Sequence, residues 1–391
     1  MSTIIYLDNN ATTMTSPEAL AAMEPYYKEK YANPSGIYGF AQEIKKDIEA
    51  ARETTAKLIN ASPEEIIFTS GGTEADNMAI KGIAYANKEK GNHIITCATE
   101  HHAVLNTVKY LEKHGFTASY LPVDKYGTVD IEALKKAVTE KTILISIMYA
   151  NNEIGTIAPV DEIGKIAAEK GIYFHTDAVQ AAGKLPIDVK KTNISLLSAS
   201  AHKFHGPKGV GFFYQKKGTR MHSLMQGGHH EKNRRAGTEN TAGIIGMAKA
   251  LEEAVFFMNS PEKKKIKELR DRLENAIAEK IPDIIVNGNP ENRMDNTVNI
   301  CFKYIEGESI LVYLDFEGIC ASSGSACTSG SLEPSHVLLA LGIPHKTAHG
   351  SIRFSLSKYT TEEEIDRVVS SLPAIIEKLR SVSPLWKERK K

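Results

Sequence analysis

Three polar clusters in this chain carry residue types that do chemistry, and each follows a short apolar run. The first, Thr69-Ser-Gly-Gly-Thr-Glu-Ala-Asp76, is a glycine turn that runs into a helical pattern. The backbone N–H groups of Gly72 and Thr73, the Thr73 hydroxyl and the helix dipole would together hold a phosphate. No Gly-Lys-Ser/Thr follows, so this is not a P-loop, and a plain helix cap is the competing reading. The second is His175-Thr-Asp-Ala-Val-Gln180. Asp177 there either caps the next helix or pairs with a protonated ring nitrogen. The third is Ser198-Ala-Ser-Ala-His-Lys-Phe-His-Gly-Pro-Lys-Gly209, where Lys203 sits among small and apolar neighbours beside His202. It is either a solvated surface charge or a lysine that gives up its proton and forms an imine. Phosphate site, pyridinium partner and Schiff-base lysine, in that order, are the protein parts that pyridoxal phosphate requires.

A thiol of different character lies further on. Cys327 sits in Ala321-Ser-Ser-Gly-Ser-Ala-Cys-Thr-Ser-Gly330, a run of small residues that cannot pack deeply. Glycine and serine there favour a mobile, solvated loop, on which a thiol is well placed to travel.

The elements that must position these residues follow an alternating pattern. Glu65–Thr69, His93–Cys97, Thr142–Met148, Gly171–His175, Ile194–Ser198 and Val210–Tyr214 read as buried strands. Helical patterns lie between them, among them Thr73–Ala84, Asp130–Val138 and Val160–Lys170. Such alternation implies a largely parallel sheet covered on both faces, with ligands at the carboxyl ends of its strands. Past Asn259-Ser-Pro261 the chain turns to a Lys- and Glu-rich helix (Glu262–Lys280), strands near Asn296–Phe302 and a closing helix Glu362–Arg380. These predict a smaller α+β domain.

Bulk properties exclude several classes. With 391 residues the chain is sized for two domains, and 42% hydrophobic and 25% charged residues are ordinary for a globular protein. Lys plus Arg and Asp plus Glu balance at 48 each, which gives no general pull toward nucleic acid or anionic membrane. No signal peptide and no apolar run long enough to span a bilayer is visible. Four cysteines without a Cys-x-x-Cys pair argue against a disulfide framework and against structural zinc. The expectation is a cytoplasmic protein with reduced thiols. Cys97, Cys301 and Cys320 read as buried packing residues, and the pairs His101-His102 and His229-His230 lack the partners of a metal site.

The chain resembles cysteine desulfurases of the NifS/IscS type, pyridoxal-phosphate enzymes of fold type I in the class V aminotransferase-like family. The likeness is carried by Tyr6-Leu-Asp-Asn-Asn-Ala-Thr-Thr13, Ser70-Gly-Gly-Thr-Glu-Ala-Asp-Asn77, Thr99-Glu-His101 and Asn151-Asn-Glu-Ile-Gly155. It continues in Ala199-Ser-Ala-His-Lys203, Arg235-Ala-Gly-Thr238, Ser322-Ser-Gly-Ser-Ala-Cys-Thr328 and Ser351-Ile-Arg-Phe-Ser355. The resemblance implies a large cofactor-binding domain over residues 16–259 with a mostly parallel seven-stranded sheet between helices. Residues 1–15 and 260–391 would form the small domain, which carries the catalytic loop 321–330.

It also implies roles. Lys203 would hold the cofactor and move the proton at the substrate α-carbon, and Asp177 would pair with the pyridine nitrogen. Gly72, Thr73, Ser200 and His202 would bind the phosphate, joined by Thr238 of a second subunit in a homodimer. His101 would stack on the ring and act as acid/base, while Asn152 and Gln180 would contact the ring face and phenolic oxygen. Arg353 would fix the substrate carboxylate, assisted by Asn33 and Asn152. The implied reaction takes sulfur from L-cysteine as a persulfide on Cys327 and releases L-alanine. An iron–sulfur scaffold of the IscU/NifU type would accept the sulfur, with Cys327 as a transient cluster ligand and no resident metal. A selenocysteine lyase or aminotransferase on the same fold is the alternative, and a non-catalytic scaffold in a sulfur-transfer complex is the remaining one.

Overall fold

The computed structural model describes residues 4–323 and 333–388, so Cys327 and the loop around it lie outside the described residues. Twelve strands follow one another among the described residues: β1 (Ile5–Tyr6), β2 (Ile66–Thr69), β3 (His93–Cys97), β4 (Thr117–Leu121), β5 (Thr142–Ser146) and β6 (Tyr173–Asp177). After them come β7 (Leu196–Ser200), β8 (Gly211–Gln215), β9 (Ile284–Asn287), β10 (Thr297–Phe302), β11 (Ile319–Cys320) and β12 (Ser351–Ser355).

Seven of them form the central sheet in the order β2-β8-β7-β6-β5-β3-β4. Only β8 runs against the others; β3 to β7 pair in parallel. The strands are apolar nearly throughout because both faces are covered. Alternate residues serve opposite faces: Ile95, Ile145, Leu197 and Phe212 enter one core, Ile94, Leu144, Leu196 and Phe213 the other. Helices Gly39–Leu58, Val160–Lys170 and Thr241–Met258 line the first face, Gly72–Ala86 and His102–Glu112 the second.

The direction of the connections reverses between β3 and β5. A crevice opens where strand order reverses, outside the carboxyl ends of the strands. The segments leaving β3 and β5 there carry His101 and Asn152, and β6 ends on Asp177. β6 and β7 each begin two residues later than their sequence patterns predict. Gly171, at φ 65°, caps the preceding helix, and Asn193, at φ 51°, turns the chain before β7. The shift makes Asp177 and Ser200 the last residues of their strands.

A second core is built on the antiparallel sheet β12-β10-β9, covered by helices Lys263–Lys280 and Glu362–Val382. Ile5 and Leu7 belong to this core, because β1 pairs in parallel with β11 and Asp8 bridges to Ser355. The chain thus starts in the second core before it builds the first. Cys97 and Cys301 are buried packing residues as expected. Cys320 is not: it lies half-buried on the two-stranded β1–β11 pair.

Candidate active site

A cavity of ≈ 330 Å³ at the reversal point gathers most of the residues singled out in the sequence. Gly72, Thr73, His101, Asn152, Asp177, Gln180, Ser200, His202, Lys203 and Arg353 all line it. They come from six separate stretches of chain: five lie at the central sheet, and the sixth, Arg353, is on β12.

Each is fixed by its local structure. Gly71, at φ 148°, turns the chain so that Gly72 opens the helix Gly72–Ala86 against β7. A Cβ at Gly72 would meet Val179 Cγ2 at 2.6 Å, so the backbone there stands as close to its neighbour as glycine allows. Gly72, Thr73, Ser200 and His202 also line an adjoining hollow together with Lys208. Asp177 Oδ1 accepts the Val179 N–H at 2.9 Å, which fixes the carboxylate. His101 caps the helix His102–Glu112, its Nδ1 accepting from the Ala103 N–H at 3.1 Å. In the neutral ring the proton then sits on Nε2. Lys203 Nζ donates to the carbonyl oxygens of Asn10 and Ala11, both at 2.7 Å.

Arg353 lies on β12, which belongs to the second core, and is buried. Its Nη1 donates to the Asn152 carbonyl at 2.9 Å and its Nη2 to Asp8 Oδ1 at 2.7 Å. Its Nε is buried with no hydrogen-bond partner among the described residues.

The electrostatics follow from burial. Asp177 is pushed above the usual carboxylate range by burial, against the pull of His101 and Lys203. Burial also raises Asp76 well above its ordinary value, and the charge of Asp177 adds to this. His202 falls to about 4 through burial and the nearby Lys203, Lys208 and Lys184, so it is neutral at pH 7. Lys184 is lowered to about 7, first by burial and then by Lys203 and Arg353. Its Nζ donates to Gln180 Oε1 at 3.2 Å, and the Gln180 amide nitrogen donates to the Asn10 carbonyl at 2.9 Å. This chain of bonds sets which end of the Gln180 amide faces the site.

Two predicted residues stay outside the cavity. Asn33 is exposed and accepts the Ser35 N–H, and Thr238 is exposed beyond Arg235. Arg235 itself pairs with Glu74 at 2.8 Å, on the first turn of the helix Gly72–Ala86. Four groups escaped the sequence reading: Asp8, Asp76, Glu153 and Lys184. Asp8 and Asp76 fall inside motifs already quoted. Nothing in those motifs marks their partners, and Asp8 meets Arg353 across 345 positions.

Both borders of the segment 324–332 are moored beside the cavity. Ser322 exchanges backbone hydrogen bonds with Arg353, at 3.1 and 2.6 Å. At the other border the Ser335 hydroxyl donates to Glu153, next in sequence to Asn152.

Comparison with known proteins agrees with this geometry. Residues 5–368 match the aminotransferase class-V family. A protein of Clostridium botulinum described as cysteine desulfurase IscS is 55% identical over 391 residues, covering 99% of this chain and 98% of its own length. The chain belongs to the cysteine desulfurases of the class-V aminotransferase family. A solved NifS-like protein superposes on this desulfurase with a TM-score of 0.91 at 40% identity, covering 96% of this chain and all of its own. The structure of SspA in complex with cysteine superposes with a TM-score of 0.82 at 35% identity over 92% of this chain.

Enzymes of this family depend on pyridoxal phosphate. The donor set of the cavity fits that group: a glycine-lined helix N-terminus for the phosphate, a fixed buried carboxylate for the ring nitrogen, and a lysine among small residues.

Proposed function

We propose that this cavity removes the sulfur of L-cysteine and passes it to Cys327, with L-alanine as the other product. The observation that carries the reading is the convergence of Lys203, Asp177, His101 and Arg353 on one cavity whose rim holds both borders of the Cys327 segment.

Gly72, Thr73, Ser200 and His202 would hold the phosphate, Asp177 the ring nitrogen and Lys203 the reactive carbonyl carbon of the cofactor. His101 and Asn152 would contact the ring, and Gln180 its phenolic oxygen. When bound, the cofactor supplies an electron sink conjugated to the substrate α-carbon, which makes the bond from the β-carbon to sulfur cleavable. Arg353 receives the substrate carboxylate through its guanidinium, whose planar fork favours bidentate geometry. Asp8 must yield part of its bond for this. Lys203 takes the α-proton and returns it, and His101 Nε2 moves protons near the leaving sulfur. The Cys327 thiolate attacks that sulfur: an S–S bond forms, the C–S bond breaks, and the β-carbon gains the proton that completes alanine.

The other thiols support this choice of nucleophile. Burial pushes Cys97 and Cys301 up to about 11 and raises Cys320 as well, so none of the three is a thiolate at neutral pH.

The reading extends to the assembly. Residues 16–259 form the cofactor-binding domain, and 1–15 with 260–391 the small domain. Thr238, exposed within one chain, serves the site of a second copy in a homodimer, and Asn33 assists Arg353 at the substrate carboxylate. Sulfur then passes to an iron–sulfur scaffold of the IscU/NifU type in the cytoplasm. No helix among the described residues is long and apolar enough to cross a membrane.

The testing variant is Cys327→Ala. It is expected to keep the yellow cofactor and to lose alanine release from L-cysteine by more than about 10³-fold. Sustained release of alanine would point instead to a lyase or aminotransferase that does not use the thiol.

A further inference from the structure

Behind Asp177 lies a second carboxyl group that the reaction above does not use. Asp76 projects from the helix Gly72–Ala86 and is 1% exposed. One oxygen of Asp76, one of Asp177 and one ring nitrogen of His101 lie within 4.8 Å of one another. Asp76 Oδ1 is buried with no hydrogen-bond partner among the described residues.

We propose that Asp76 is a positioning residue that stays a neutral carboxylic acid and directs its proton to Asp177, so that the pair carries a single negative charge toward the ring nitrogen of the cofactor. The proposal rests on the reading that Asp177 faces that nitrogen.

The surroundings of Asp76 give the reason. The groups facing it are His175 and Asp177 on β6, Ser198 on β7, and Glu100 and His101 after β3. His175 is buried between the hydroxyls of Ser146 at 2.8 Å and Ser198 at 3.0 Å, and burial drops it to about 3. It is therefore neutral and supplies no countercharge, although its Nε2 stands 3.6 Å from Asp76 Oδ1. Glu100 accepts the Met148 N–H at 2.7 Å, and burial raises it too. His101 and Lys203 pull Asp177 down, whereas Asp76 is raised chiefly by burial and the charge of Asp177. Two carboxylates this close do not both ionise in a buried site.

Hydrogen-bond arithmetic gives the direction. If Ser146 donates to His175 Nδ1, Nε2–H donates to Ser198, and the Ser198 hydroxyl is left to donate to Asp76. With Ser198 as donor to the carboxyl group, Oδ1, which has no hydrogen-bond partner among the described residues, is left to carry the proton. Such bonds are often long in an unloaded site and tighten once the ligand is in place.

The test is infrared difference spectroscopy of wild type against Asp76→Asn at neutral pH, on cofactor-free and on loaded protein. The expected signal is the C=O stretch of a protonated carboxylic acid, lost in Asp76→Asn and kept in Glu100→Gln. No such band, or a band lost only in Glu100→Gln, overturns the proposal. Release of pyridoxal phosphate is the second readout. Asp76→Ala is expected to release it about tenfold faster than wild type, and Asp76→Asn, which keeps a neutral donor, within about twofold of it. Equal release from both variants overturns the proposal. Wild-type protein that takes up no pyridoxal phosphate would sink the reading of the whole site, while the carbonyl band of the cofactor-free protein would still decide the state of Asp76.

Discussion

At the scale of single residues, neighbours decide what a side chain can bind. Arg353 is held by the Asn152 carbonyl at Nη1 and by Asp8 at Nη2, which fixes the plane of its guanidinium. Arg353→Lys keeps the charge but loses the fork. Steady-state kinetics should show KM for L-cysteine raised roughly 10- to 100-fold, the loss of one or two charge-assisted bonds. An unchanged KM would mean that the carboxylate binds elsewhere. Lys203 and Asp177 were legible in the sequence because each follows an apolar strand and stands among small residues, where a charge needs a reason. Asp8 and Asp76 were not. Their significance lies in Arg353 and Asp177, which are far away in sequence and adjacent only once the sheet is assembled.

At the scale of elements, the site depends on how closely a helix start can approach the sheet. Gly72→Ala places a methyl group 2.6 Å from Val179 Cγ2 in the phosphate cradle. The overpacking should weaken retention of pyridoxal phosphate by about tenfold or more, read from loss of the cofactor absorbance on dilution, while the far-ultraviolet circular dichroism stays at wild type. Retention equal to wild type would remove the phosphate from this turn. Periodicity made the inner strands legible: β3 and the helix Val160–Lys170 fall where their patterns put them. β4 did not announce itself, because Thr117-Ala-Ser-Tyr-Leu121 is an edge strand with mostly half-exposed residues and no apolar run.

At the scale of the whole molecule, the first residues stitch the two cores together around the site. Asn10 and Ala11 hold Lys203 through their carbonyls, while Thr13 and Met14 hold the His205 backbone and ring. His205 also meets the Tyr359 ring edge-on at 5.1 Å. Burial lowers it to about 4. The folded state therefore binds fewer protons there than the unfolded chain between about pH 6.5 and 4, so stability is lost as pH falls through that window. His205→Asn tolerates the backbone at φ 66° and does not titrate. Its Tm, relative to wild type, should rise by a few degrees as pH drops from about 6.5 to 4. A difference that does not change with pH would contradict the assignment.

The central claim concerns where the sulfur goes, and intact-mass spectrometry after brief incubation with L-cysteine tests it most directly. The account predicts wild-type protein heavier by one sulfur atom, reversible with a thiol reductant, and no added mass in Cys327→Ala. Added sulfur that persists in Cys327→Ala, or none in wild type while alanine accumulates, would contradict it.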